Sequence, residues 1–302
     1  MKIIALLLLA LLPFHAAFAE TTANLKPYIL GFETTETIAA TQKKVGTALD
    51  QNGVRVVGQY KPAADENRAV LIISSPELQG AVKQIGGLTG FASTLRVGIT
   101  RENGKTLVTY TNPLYWGNAY FRADFDKVAP AYTALNEHIE KALKSAGTFL
   151  GTPFGSADGI SAKELRKYHY LVGMPYFTDV VELGAFESHA AALAKVEASL
   201  KHGVPGVSLY SKVAIPGENI VLFNLALTGD KGESKFLPVI DIATPKHTAF
   251  LPYEVLVLDK RVLILPGRYR IALSFPDLTM GTFTKIISTP GDIETAFKQL
   301  VK

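Results

Sequence analysis

The chain contains no cysteine, and that absence removes several chemistries at once. No disulfide scaffold, thiol nucleophile or thiolate metal site can be built from it. Histidine is sparse as well. Besides His15, the residues His138, His169, His189, His202 and His247 are scattered, with no pair at helical or finger spacing, so no metal site is expected. His202, at the end of a predicted helix, is most simply a dipole-compatible cap. The nucleophile elbow is missing too, because Gly155-Ser156 and Val207-Ser208 both lack its flanking glycines. Gly86-Gly87-Leu88-Thr89-Gly90 follows a predicted helix, which is the wrong side for a phosphate cradle. The formal charge of +4 comes from interspersed lysines and acids, too mild and scattered for a nucleic-acid partner. Neither a catalytic residue nor a cofactor emerges.

Long apolar runs are also lacking. The run from Ile3 to Leu12 falls well short of the roughly 18 residues that span a bilayer. With Lys2 before it, and Pro13 and Ala16-Ala17-Phe18-Ala19 after it, it reads as a signal peptide over residues 1–19, cleaved before Glu20. No cysteine follows the cleavage box to carry a lipid. The mature chain is therefore expected in the periplasm or secreted, not integral to a membrane, with a charge of +3 once Lys2 leaves. Without disulfides, such a protein depends on ordinary apolar cores, and its length allows about two domains.

What is present is an internal repeat. Gly53-Val54-Arg55-Val56-Val57 leads to Tyr60, and Gly203-Val204-Pro205-Gly206-Val207 leads to Tyr210, seven positions from Gly to Tyr in each. In the first copy a strand from Tyr28 to Glu33 precedes a helix over Glu36 to Gln51, with Thr34-Thr35 as caps. Strands follow at Val54 to Tyr60 and Ala69 to Ile73. A helix then opens at Ser75-Pro76-Glu77 and closes at Gly86-Gly87. Strands Phe91 to Thr100 and Thr106 to Thr111 form a hairpin over Asn103-Gly104. The stretch Asn112 to Phe121 reads as a loop before a helix over Phe125 to Ser145, with Val128, Tyr132, Leu135, Ile139 and Leu143 on one face.

The second copy follows the same order. A strand over Val180 to Phe186 leads to Ser188 and a helix across Ala190 to Lys201. Val239 to Pro245 matches Val70 to Pro76, and Glu254 to Leu258 with Arg268 to Phe275 forms the late hairpin. Pro276 stands where Pro113 stood, and Pro290 opens a last helix carrying Ile293, Phe297 and Leu300. On this alignment Asn219 to Leu227 is an added strand and the second helix has nearly vanished. The expectation is an α+β protein of two tandem β-α-β-β-α-β-β-type repeats, at 28–147 and 180–302, with a connector at 148–179. Each repeat has a mostly antiparallel sheet with helices on one face. A monomer with pseudo-two-fold symmetry is the simplest assembly.

Three segments of the first copy carry a resemblance. Val45-Gly46-Thr47-Ala48-Leu49-Asp50-Gln51-Asn52-Gly53-Val54 looks like the helix-to-strand passage of the domain of unknown function 302 family. Ser75-Pro76-Glu77-Leu78 is similar to its Asn-Pro step into the second helix, with Ser in place of Asn. Val108-Thr109-Tyr110-Thr111-Asn112-Pro113 resembles its strand ending in Asp-Pro, with Asn in place of Asp. The second copy fits distantly. The resemblance implies a small α+β fold and no activity.

For function, two aromatic segments stand out. Tyr110, Asn112, Tyr115 and Trp116, the only Trp, gather aromatics and an amide just past a strand, as ligand or partner anchors do. The ordinary alternative is that Trp116 and Phe121 cover the core. Lys167-Tyr168-His169-Tyr170 in the connector could hold an anionic ligand, but the favoured reading is a solvated helix end with its aromatics packed between the copies. The function expected is non-catalytic binding of a small molecule or a protein partner, with any site placed at Tyr110, Asn112, Tyr115 and Trp116. The competing reading is a hydrolase or isomerase with a site between the copies, drawn from dispersed residues such as Glu182, His169 or Arg96.

Overall fold

The computed structural model describes residues 23–302, so the expected signal segment and the cleavage site before Glu20 lie outside the described residues. The first part of the chain forms β1 (Tyr28–Thr34), α1 (Ile38–Gln51), β2 (Arg55–Tyr60), β3 (Arg68–Ser74), α2 (Pro76–Ile85), β4 (Leu95–Glu102), β5 (Lys105–Thr111), α3 (Pro113–Phe121) and α4 (Phe125–Ala146). A connecting stretch supplies β6 (Thr152–Phe154) and the single turn α5 (Ala162–Leu165). The rest forms β7 (Val181–Ala185), α6 (His189–His202), β8 (Val207–Ala214), β9 (Ile220–Leu227), α7 (Glu233–Ile240), β10 (Tyr253–Leu258), β11 (Arg261–Ile264), α8 (Gly267–Ser274), α9 (Met280–Thr284) and α10 (Thr289–Lys298). The fold is α+β, with two antiparallel sheets.

The strand orders are β2-β3-β4-β5-β1-β6 and β7-β11-β10-β9-β8. Read from β8, the second sheet follows the same sequence of connections as the first read from β2, without the β6 addition. Helices cover one face of each sheet. Val45 and Leu49 of α1, Val82 of α2 and Leu135 and Ile139 of α4 pack on Leu71, Ile73, Val97 and Ile99. Ala192 and Val196 of α6, Phe236 of α7 and Ile293 and Phe297 of α10 pack on Phe223, Leu225, Val255 and Val257.

The other two faces turn toward each other across a seam that mixes apolar side chains, such as Val70, Ile72, Leu222 and Leu256, with polar pairs. Thr94 Oγ1 donates to Asn224 Oδ1 (3.2 Å), Thr100 Oγ1 to Thr248 Oγ1 (2.6 Å), and Arg68 pairs with Asp241. Glycines let the halves approach. A Cβ on Gly98 would lie 2.9 Å from the Ala249 amide nitrogen, and one on Gly58 2.5 Å from the Tyr210 carbonyl oxygen. The end strands β2 and β8 each carry an irregularity where they meet, between Val56 and Gly58 and between Leu209 and Ser211. The rings of Tyr60 and Tyr210 lie 4.8 Å apart there.

Local signals explain most elements. Ser75 and Ser188 accept from the amides of Leu78 and Ala191, as N-caps do. Asn103 and Gly104 both have positive φ (49° and 79°), the requirement of a tight primed hairpin turn. Other readings need correction. Thr37, not Thr34 or Thr35, caps α1, because Thr34 is still paired with Thr106 in the β1–β5 ladder. The stretch after β5 is the helix α3, since Asn112 caps it and Pro113 fills its first turn. Val239 is not in a strand, because α7 runs to Ile240; the strand after β8 is β9, buried along its whole length. Arg268 to Phe275 is not the partner of β10. That role falls to β11, and Pro266-Gly267 starts the helix α8 instead.

Candidate functional site

The four residues singled out beyond β5 are all buried and mostly engaged in holding elements together. Tyr110 sits on β5 opposite Val97 and Ile29, and burial raises its phenol pKa. Asn112 Oδ1 accepts from the Leu114 amide (3.1 Å) while its Nδ2 donates to the Lys26 carbonyl (2.9 Å). Trp116 Nε1 donates to the Pro27 carbonyl (2.9 Å). Tyr115 reaches farther, its hydroxyl donating to the Leu273 carbonyl of α8 (2.8 Å). They bind α3 to the start of β1 and to the other half of the molecule. In the connector, His169 stacks on Tyr176 at 4.0 Å and bonds the Met174 carbonyl, while Tyr170 donates to the Leu278 carbonyl. Glu182 lies on β7 beside Arg261, and Arg96 is buried in the seam, so Glu182, His169 and Arg96 are not gathered.

A cleft of about 400 Å³ opens elsewhere, between the connector and the second half. Its walls are largely apolar, including Phe154, Ile240, Ile242 and Phe275. Polar groups cluster within it, namely Lys26, Ser156, His247 and Asp277. His247 is held by three aromatic rings, stacked on Phe275 at 4.6 Å with Tyr28 at 4.8 Å and Phe154 at 5.8 Å. Its amide donates to Asp241 Oδ1 (2.8 Å), but its Nδ1 is buried with no hydrogen-bond partner among the described residues. Burial lowers the imidazole pKa, with Asp241 and the Ser274 backbone beside the ring opposing, so the ring is neutral at pH 7. Gly155 makes this packing possible. Its φ is +96°, and a Cβ there would lie 2.8 Å from Tyr28 Cδ2 and 3.3 Å from His247 Nε2.

Ser156 and Asp277 occupy the same cleft. Ser156 Oγ donates to Asp277 Oδ1 (3.0 Å) and accepts from the Gly159 amide, while the Ala157 amide donates to Asp277 Oδ2 (2.7 Å). The carboxylate thereby latches the connector onto the second half. The imidazole bonds neither group, so His247 and Ser156 do not form a histidine-activated hydroxyl here.

Two further buried groups lie in the seam. Each nitrogen of Arg270 has an acceptor, Nε and Nη2 donating to Glu254 (2.7 and 3.0 Å) and Nη1 and Nη2 to the carbonyls of Phe250 and Pro252. Arg96 meets the same Glu254 carboxylate, and its Nε has no partner among the described residues. Burial, then the charge of Arg270, lowers the Arg96 pKa to about 9. The second group is Glu233, whose carboxylate accepts from the amides of Ala63 (2.9 Å) and Leu227 (3.1 Å) and faces the Tyr60 hydroxyl. Burial nevertheless pushes its pKa up to about 7.

The sequence marked none of the cleft's polar residues as functional. Gly155-Ser156 reads as a failed elbow, His247 as one of several scattered histidines, and Pro276, next to Asp277, only as the counterpart of Pro113. The one local sign was a Gly-Ser pair directly after an aromatic. Among the described residues, no group of three or more His, Asp or Glu is placed to hold a metal, and no helix is long and apolar enough to cross a membrane. No protein-family model matches the chain, and no curated protein matches it. Among solved structures, the chain is similar to an uncharacterized conserved protein DUF302 from Bacillus stearothermophilus. That likeness has 14% identity and a TM-score of 0.32, covering 38% of this chain and 97% of the other.

Proposed function

We propose that this chain is an exported, non-catalytic binding protein made of two tandem copies of one α+β unit, with its ligand site in the cleft between the connector and the second half. The shared strand order of the two sheets supports the duplication. The amino-terminal Lys2, the Ile3–Leu12 run and the Ala17-Phe18-Ala19 box support export.

One observation carries the binding reading. A neutral, buried imidazole with an unpartnered Nδ1 lines a mostly apolar cleft of about 400 Å³. That volume lies within the range of small-molecule sites, and a few polar groups among apolar walls is their usual composition. The ligand class is a small, largely apolar molecule with one hydrogen-bonding group. The hydrolase or isomerase reading finds Ser156, His247 and Asp277 in one cleft, but His247 hydrogen-bonds neither of the other two.

Native mass spectrometry of the protein purified from an exporting host, together with a thermal-shift screen of small apolar acids, alcohols and amides, tests this. A retained or stabilising small molecule is expected. His247→Gln should weaken it at least about tenfold, the weight of one buried hydrogen bond. Ligands that bind the His247→Gln protein equally well would place the site elsewhere, and turnover of any of them would return the enzyme reading.

A further inference from the structure

A tight turn in the connector carries apolar side chains out of the molecule. The Met174 amide donates to the Leu171 carbonyl (3.0 Å), and Gly173, at the third position of the turn, has a φ of +84°. Val172, at the second position, is 93% exposed. Leu171 and Tyr176 beside it are exposed too, as is Met280 of α9. Single exposed apolar residues are ordinary, but four large ones on adjoining segments mark a contact surface. The segments adjoin because Tyr170, Met174, Met280 and Phe283 line one small cavity, and the Tyr170 hydroxyl donates to the Leu278 carbonyl (3.0 Å). The tip is also held in shape from within. His169 stacks on Tyr176 at 4.0 Å and bonds the Met174 carbonyl (2.7 Å).

The charges at the tip have one sign. Residues 165–178 contain Arg166 and Lys167 and no acid, and residues 278–291 contain Lys285 and no acid. Arg268 lines the same small cavity as Met174 and Met280. Arg166 is paired with Asp126, whereas Lys167, Arg268 and Lys285 are exposed and make no ion pair among the described residues. Carboxylates stand only at the borders of these segments. Glu164 accepts from Ser161, Asp179 from the Tyr176 amide, and Asp277 from Ser156 and Ala157. They keep their charge, so the cationic bias is local to the tip. A protruding turn offers a folded partner neither a pocket nor a flat face in which to bury an anchor. A bilayer accepts one readily: aliphatic side chains enter the acyl boundary, tyrosines sit at the headgroups, and cations meet anionic lipid.

We infer that this tip docks the protein peripherally on a bilayer bearing anionic phospholipid. Leu171 and Val172 enter the interface, with Tyr176, Lys167 and Arg268 at the level of the headgroups. Leu278 lines both the small cavity behind the tip and the cleft at His247, so the docked face adjoins that cleft. Docking of the tip stands whether or not the cleft holds a ligand.

The test is flotation of the protein, purified from an exporting host, with vesicles of phosphatidylcholine alone or mixed equally with phosphatidylglycerol. The protein should float with the mixed vesicles, and about 0.5 M sodium chloride should bring its binding down toward the phosphatidylcholine level. Val172→Asp should lower the bound fraction at least about fivefold on the mixed vesicles. Arg268→Glu should lower it by a similar factor there and leave binding to phosphatidylcholine unchanged. Both side chains are exposed, so each variant should keep its Tm within about 2 °C. A retained signal segment would be common to every variant, so the difference between them reads the tip. Val172→Trp adds a direct probe. The only other tryptophan, Trp116, is buried, so a blue shift with mixed vesicles reports position 172. No flotation, equal flotation of Val172→Asp, or an unshifted Val172→Trp emission on bound protein would overturn the inference. So would a vesicle-free dimer that Val172→Asp dissolves, because a second copy would then cover the tip.

Discussion

Glu233 shows how one buried side chain can set the pH response of the molecule. Its carboxylate bridges the Ala63 amide of the first half and the Leu227 amide of the second. Burial raises its pKa from 4.5 to about 7, so the folded state holds the proton more tightly than the unfolded chain does. The stability linked to that proton is complete below about pH 4.5 and is lost as pH rises through about 7, up to about 3 kcal/mol in all. His247 works in the opposite sense. Its folded pKa is depressed, so its contribution is present above its ordinary value of 6.5 and is lost as the pH falls. Urea unfolding of His247→Gln between pH 8 and 5 should therefore show rising stability toward acid. Adding Glu233→Gln should flatten the curve, and a double variant that keeps the slope would show that another group carries it.

Among the elements, α3 does more than its nine residues suggest. Asn112 caps it, Trp116 ties it to Pro27, and Tyr115 carries it to α8 across the molecule. Trp116→Ala should cost about 3–5 kcal/mol as a core truncation, and Asn112→Ala about 1 kcal/mol as a lost cap. Tyr115→Phe should cost about 1 kcal/mol for its single bond, since the ring still fills its space. Denaturation midpoints check all three, and an unchanged midpoint for Trp116→Ala would return that side chain to a binding role. Elements with strong local punctuation were legible in the sequence, such as α4 with its apolar face, the Ser75 and Ser188 caps and the Asn103-Gly104 turn. The errors fell where local pattern and burial diverge. Arg268-Tyr269-Arg270-Ile271 alternates like a strand, yet Arg270 is buried on a helix because Glu254 and two carbonyls accept from it. The cleft was illegible for a simpler reason. Ser156 and Asp277 meet from 121 positions apart, and nothing in the spacing of the residues reports that meeting.

For the whole molecule, the decisive contact is the one between the helix-free faces. At Gly98 and Gly58 the two halves approach closely, and both glycines face a main-chain atom that cannot rotate away. Gly98→Val should lower Tm by several degrees, because the seam must open to admit the side chain. A control at Gly80, where a Cβ meets nothing within 4 Å, should leave Tm unchanged or raise it slightly. Loss of Tm at both positions would point to helix or strand propensity in place of the seam.

The meeting of β2 and β8 has a further consequence, for how the molecule avoids its own kind. An open sheet presents two rows of free amides and carbonyls to any passing strand, and each half here would have two. Where β2 and β8 come together, both bent by their irregularities, two of the four borders shield one another. The remaining borders are guarded differently. The three-residue β6 carries Pro153, and β7 carries the charged Glu182 with Val301 packed against Gly184. A chain without cysteine has no covalent tether to hold it while it folds, and among the described residues this arrangement leaves no long, bare border on which copies could polymerise.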